Sequence, residues 1–239
     1  MLNNSYERNP DRYGSYAATS PQISFLNQVY GWMCLGLLLT AGISGWMAAT
    51  PGLVEKLMMQ RGLFWGLLIG ELLLVIWLSA GIGRMSSTTA TVAFLGYAAL
   101  NGVVLSGIFL VYTQASLFST FLATAATFGG MSFYGYTTKR DLSSIGSLCI
   151  MALWGVIIGS IINLFWANNM LYWLVTYLGI AVFVGLTAYD TQKIRELAMN
   201  ISDSDSSLVR KLAILGALRL YLDFINLFLL LLRIFGNRR

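Results

Sequence analysis

The stretch Leu218–Phe235, LRLYLDFINLFLLLLRIF, decides how the chain is read. It is apolar enough to enter a membrane, yet it carries Arg219, Asp223, Asn226 and Arg233. Hydrocarbon offers such groups no water, so each charge there needs a partner or a hydrated cavity. Arg219, Asp223, Asn226, Leu230 and Arg233 follow one another by four, three, four and three residues, which places them on one face of a helix. A polar stripe through a bilayer must face protein or water, so this helix is predicted to be central and enclosed by others.

The rest of the chain supplies the enclosure. Of its 239 residues 57% are hydrophobic and only 10% charged, and the apolar residues fall in long blocks. This is the composition of an all-α polytopic membrane protein, and the absence of period-two alternation argues against a barrel. Seven transmembrane helices are predicted: Val29 to Ala49, Gly62 to Ile82, Thr91 to Tyr112, Leu117 to Tyr136, Ile145 to Trp166, Leu171 to Asp190, and Leu212 to Phe235. Residues 1–27 are polar and Tyr-rich and lack the apolar core and cleavage site of a signal peptide. They read as a disordered cytoplasmic tail before a transmembrane domain over 28–239.

With the amino terminus inside, the inner loops hold Arg84, then Lys139 and Arg140, then Lys193, Arg195, Arg210 and Lys211. The positive-inside rule favours this orientation. The closing GNRR conflicts with it, because Arg238 and Arg239 fall outside if the last segment crosses and inside if it re-enters as a hairpin. The net charge of +5 is read as topology, with no nucleic-acid partner; the partner that composition demands is the lipid bilayer. Close helix contacts are expected at Gly66 and Gly70 and at Gly155 and Gly159, both spaced GxxxG.

Chemistry is narrowed by what the chain lacks. It has no histidine, and its two cysteines, Cys34 and Cys149, sit in apolar blocks. Thiol metal clusters and imidazole pH switches are therefore excluded, and any proton sensing must use carboxylates. No phosphate loop, zinc motif or nucleophile elbow is present, so no enzyme activity or organic cofactor is expected. SDSDSSLVRK, with Asp203 and Asp205, lacks the glycine and terminal glutamate of an EF-hand; Asp205 or Ser206 is better read as the cap of the last helix. Asn101 and Asn163 are read as interhelical hydrogen-bond partners.

Glu71 and Arg84 in span two are thirteen residues, roughly 19 Å, apart, and Asp223 and Arg233 in the antiparallel last span are ten residues, roughly 15 Å, apart. One register would bring Arg84 toward Asp223 and Glu71 toward Arg233. Asp190, in LTAYDTQKI at the inner end of span six, lies at a depth to meet Asp223 or Arg84. Two carboxyl groups at hydrogen-bonding distance share a proton at low pH and repel once it leaves. With nearby hydroxyls and carbonyls, Asp190 and Asp223 would then offer hard oxygen ligands to a calcium ion. The competing reading is a static ion-pair network that fixes helix register.

Three stretches taken together, GYTTKRDLSSIG (Gly135 to Gly146), FVGLTAYDTQKI (Phe183 to Ile194) and LYLDFINLFLLLLRIFG (Leu220 to Gly236), resemble the Bax inhibitor-1 family, in particular bacterial inner-membrane members. The resemblance covers nearly the whole chain after Phe25. It implies seven helices with the last one central, and a pH-sensitive leak of cations, calcium foremost, as in some members. It implies that Asp190 and Asp223 match a di-aspartyl sensor, that Glu71 and Arg233 match a buried ion pair, and that Arg84 stands for a latch arginine. Two features depart from the family pattern. Arg84 lies slightly late relative to Glu71, and Arg219 replaces a small or hydroxylated residue one turn before Asp223, where a cation favours ionised Asp223 and opening at lower pH.

Other function classes stay open at this point. Paired intramembrane aspartates also make proteases, but the Gly-x-Gly-Asp run is missing around Asp223. A regulatory protein that binds a membrane-bound protease through its amino-terminal tail, and a proton-coupled transporter, also fit the buried charges.

Overall fold

The computed structural model describes residues 10–200 and 206–238, with side chains described from Gln22 onward. Helices α1 (Pro10–Ala49), α2 (Leu53–Met59), α3 (Arg61–Gly81), α4 (Ser87–Leu105), α5 (Ile108–Val111), α6 (Gln114–Thr137), α7 (Ser143–Trp166), α8 (Asn169–Asn200) and α9 (Ser206–Phe235) follow in order, and a 3-10 turn spans Ile82–Arg84. The chain is an all-α membrane protein. Six helices are both long and apolar enough to cross a bilayer, one fewer than expected.

The expected fourth span, α6, is the one that falls short. It is 24 residues long but interrupted by Ser116, Ser119, Thr120, Thr124, Thr127 and Ser132. Several of these hydroxyls bond back to their own helix, as Thr124 Oγ1 does to the Thr120 carbonyl at 2.7 Å and Thr127 Oγ1 to that of Ala123 at 2.9 Å. Thr120, Thr124 and Ser132 are buried against neighbouring helices, so protein rather than lipid receives this polar face.

The last helix is central, although of its charge stripe Asp223 is buried while Arg219 and Arg233 are exposed. It packs against α1, α4, α6 and α8, while α3 lies outside α4 and α7 outside α8. In its most apolar stretch 72% is buried, against 6% to 39% in the other five spans. Leu218, Leu220, Tyr221 and Leu227 are fully buried there. Between helices in a bilayer such burial stabilises through close packing and dispersion rather than through release of water.

α9 is one unbroken helix of 30 residues, roughly 45 Å, so it crosses and is no hairpin. The chain beyond it docks on the α5–α6 connection: the Thr113 N–H donates to the Asn237 carbonyl at 3.1 Å, and the Asn237 N–H donates to Ser116 Oγ at 2.9 Å. Arg238 is therefore at the end opposite the α3–α4, α6–α7 and α8–α9 connections, which carry most of the basic residues.

Two local expectations need correction. α1 continues without a break from Pro10 through Asn27, so the stretch 10–27 is helical rather than a disordered tail; residues 1–9 lie outside the described residues. Phe25 and Val29 are docked at 1% and 0% exposure, and a helix nucleated there extends cheaply toward its amino end. A Cβ on Gly66, Gly70 or Gly155 would meet nothing within 4 Å, so the GxxxG contacts reduce to Gly159, which abuts Val175 of α8. Asp203 and Asp205 lie outside the described residues.

Candidate functional site

The site is assembled on α8 and α9. Asp223 is 4% exposed and Asp190 half-buried, and their carboxyl groups lie close enough to interact across α8 and α9. A carboxylate can only accept, so a bond between two carboxyl groups requires a proton on one of them. Asp223 Oδ2 is buried without a hydrogen-bond partner.

Asp190 is held in place by the segment 135–146 wrapped around α8. A Cβ on Gly135 would collide with the Ala188 carbonyl, and one on Gly146 would come within 2.5 Å of the Tyr189 ring, so both glycines allow α8 to approach. Gln192 Nε2 donates to the Arg140 carbonyl, and Gln192 Oε1 accepts from the Leu142 N–H, each at 2.8 Å. Ser132 and Thr191 share a hydrogen bond of 3.1 Å one residue from Asp190. Two of the sequence motifs are therefore one structural unit.

Asp141, in the same connection, accepts the Ser143 N–H at 2.9 Å, and hydrogen bonding to Ser143 holds its carboxyl below the usual carboxylate range. A group so depressed contributes above its unfolded pKa and loses that contribution only as pH falls through the lower folded value. Asp141 therefore stays ionised between about pH 5 and pH 8 and is no sensor there.

Arg219, one helical turn before Asp223 on α9, is exposed and forms no ion pair with either aspartate. Arg84, expected as the latch, is exposed beyond the end of α3, where the 3-10 turn carries it past the helix. Among the described residues the ion pair is Lys193 with Glu196, at 2.8 Å, so Arg84 pairs with neither aspartate. Asn226 donates from Nδ2 to the Leu222 carbonyl of its own helix at 2.8 Å and does not reach the aspartates by a hydrogen bond.

Glu71 and Arg233 are likewise not brought together. Because α4 lies between α3 and α9, Glu71 meets α4: Asn101 Nδ2 donates to Glu71 Oε1 at 2.6 Å, and Tyr97 is a second hydrogen-bonding neighbour. Asn101 is thus an interhelical partner as expected. Asn163 is not, because its Oδ1 accepts the Asn168 N–H at 2.8 Å in the α7–α8 connection. Arg233 is exposed, its guanidinium 5.3 Å from the centre of the Tyr172 ring.

Sequence reasoning missed the neighbours of this second cluster. Thr40 Oγ1 donates to the Ala98 carbonyl at 2.8 Å, which leaves it to accept from the Tyr221 hydroxyl at 2.7 Å. The Tyr97 and Tyr221 rings meet edge to face at 5.8 Å. Tyr97 and Asn101 stand four residues apart on one helix face, which was the available signal.

Replacing Asn101 with Leu strands Glu71 and is expected to cost about 1–3 kcal/mol, measured as a lowered unfolding midpoint. Arg233→Gln is expected to change stability by less than about 0.5 kcal/mol. An equal loss in both variants would contradict the pairing seen here.

Residues 22–239 match the family described as "Inhibitor of apoptosis-promoting Bax1". The chain belongs to the Bax inhibitor-1 family. Its similarity to "Inner membrane protein YbhL" of Escherichia coli K12 is 54% identity over 216 residues, covering 90% of this chain and 92% of that protein. An uncharacterized protein of Borreliella burgdorferi is 44% identical over 90% of this chain and 92% of its own length, and one of Deinococcus radiodurans 40% identical over 90% and 91%. The family assignment agrees with the resemblance carried by the three motifs.

Proposed function

We propose that this family member is a pH-sensitive cation leak, with calcium as its principal permeant ion, gated by a proton shared between Asp190 and Asp223. The supporting observation is the close approach of the Asp190 and Asp223 carboxyl groups, with Asp223 buried and Asp190 half-buried. While one proton is present, the pair joins α8 to α9 and acts as a closed latch. When the proton leaves, two negative charges face each other in a medium of low dielectric, and repulsion separates the helices. The separated carboxylates then present hard oxygens to a passing cation.

Among the described residues no third Asp, Glu, His or Cys joins them. Two carboxyls supply fewer than the 6–8 oxygens that calcium takes. They suit transient contact with a cargo ion that keeps part of its water, and no resident metal is proposed. In this reading the protein lies in a bacterial inner membrane with its amino terminus cytoplasmic, which the basic residues at one end favour.

Calcium entry into liposomes containing the purified protein tests this reading between pH 5 and pH 8. Wild-type flux is expected to rise with pH, by at most about tenfold per unit for one released proton. Asp190→Asn and Asp223→Asn, which keep the shape but lose one charge, are expected to flatten the profile. Folded variants and wild type that all fail to conduct would refute the leak, and a regulatory contact with a membrane-bound protease would replace it.

A further inference from the structure

α1 and α6 leave a lateral groove between them, of about 620 Å³, floored by Phe128 of α6 and Phe224 of α9. That volume falls within the ~300–1,000 Å³ usual for ligand sites. Along α1 its lining runs from Ile23 to Leu37, fourteen residues or roughly 21 Å. Half the full thickness of a bilayer, headgroups included, is roughly 20–22 Å. The groove therefore has the length of one lipid molecule in one leaflet.

Its two ends differ in chemistry. One end is lined by Met33, Leu37, Phe121 and Ala125, whereas at the other Asn27, Tyr30, Ser132 and Tyr136 stand among Ile23, Leu26 and Phe133. Arg195 of α8 lies beside that polar end. Its guanidinium is 5.7 Å from the Tyr136 ring centre, anchored by Nη1 donating to the Tyr136 carbonyl at 2.7 Å. Arg195 has no carboxylate partner among the described residues. An arginine so fixed presents its remaining N–H groups as a fork suited to phosphate oxygens.

We propose that this groove binds one anionic phospholipid from the leaflet at the α6–α7 end, with a tail between α1 and α6 and its phosphate on Arg195. The inference is independent of the leak reading. Lipid would complete the packing around α9 where α1 and α6 do not close over it. The bound tail would lie against Phe224, the residue after Asp223.

Gly129 lines the groove, and a Cβ there would meet nothing within 4 Å. Gly129→Phe therefore adds a ring on the groove wall from a Cβ that itself meets no protein atom. The test measures lipid retained per protein after exhaustive detergent washing of material reconstituted in phosphatidylglycerol and phosphatidylcholine in equal amounts. Wild type is expected to keep about one lipid, with phosphatidylglycerol favoured about tenfold, the ratio for ~1.4 kcal/mol.

Gly129→Phe should retain at least fivefold less of both lipids, and Arg195→Gln should keep a lipid but lose the preference, which Arg195→Lys partly restores. Helix content and elution volume identify any variant that misfolds, and Ala125→Trp then repeats the groove block. Equal retention in wild type and the blocked variants, or a wild type indifferent to headgroup charge, would overturn the proposal.

Discussion

Gly135→Ala is expected to destabilise the protein by about 3 kcal/mol, at the upper end of the usual cost of overpacking. The added methyl would collide with the carbonyl and backbone carbon of Ala188, and backbone, unlike a flexible side chain, has no alternative rotamer. Relief requires α8 to move away from α6 two residues before Asp190. The variant should therefore lose thermal stability and, where it stays folded, alter the geometry of the aspartate pair. Gly130→Ala is the matched control, because a Cβ there meets nothing within 4 Å. Unfolding midpoints that fall equally for both would show that the α6–α8 approach is looser than the distances here require.

The second large effect is expected at Arg219. Because its positive charge lies one helical turn from Asp223, Arg219→Ser removes a field that favours release of the proposed shared proton. The flux profile should move to higher pH, so that flux at a pH on the rising limb drops. Arg84→Gln should leave the profile in place, since Arg84 pairs with neither aspartate. A profile that follows Arg84 and ignores Arg219 would return the latch to the position that the sequence motif suggests.

The central place of α9 is expected from its charge stripe, yet Arg219 and Arg233 are exposed, and it is Leu218, Leu220, Tyr221 and Leu227 beside Asp223 that are buried. The aspartate pair is legible because Asp190 and Asp223 lie near the same ends of adjacent antiparallel spans. The expected register set Glu71 level with Arg233, but Glu71 stands beside Tyr97, whose ring meets Tyr221, twelve residues or roughly 18 Å before Arg233 on α9. α4 intervenes between α3 and α9, and Glu71 turns to Asn101 instead.

The glycines teach the same lesson. Spacing singles out Gly66 and Gly70, which face open space, while Gly135 and Gly146 carry the close approach to α8 with no repeat to mark them. α6 falls short of a span's hydropathy because its polar face is turned inward. Polar composition up to Asn27 reads as disorder, whereas docking of Phe25 and Val29 extends the helix through it.

The shared proton is the claim on which the proposed gate depends, and infrared difference spectroscopy observes it directly. Spectra of the reconstituted protein at low and high pH should show a protonated-carboxyl band that disappears as pH rises. The band should be missing from Asp223→Asn and changed in Asp190→Asn. A band unchanged across the range, or one that persists in both variants, would contradict a proton held between Asp190 and Asp223.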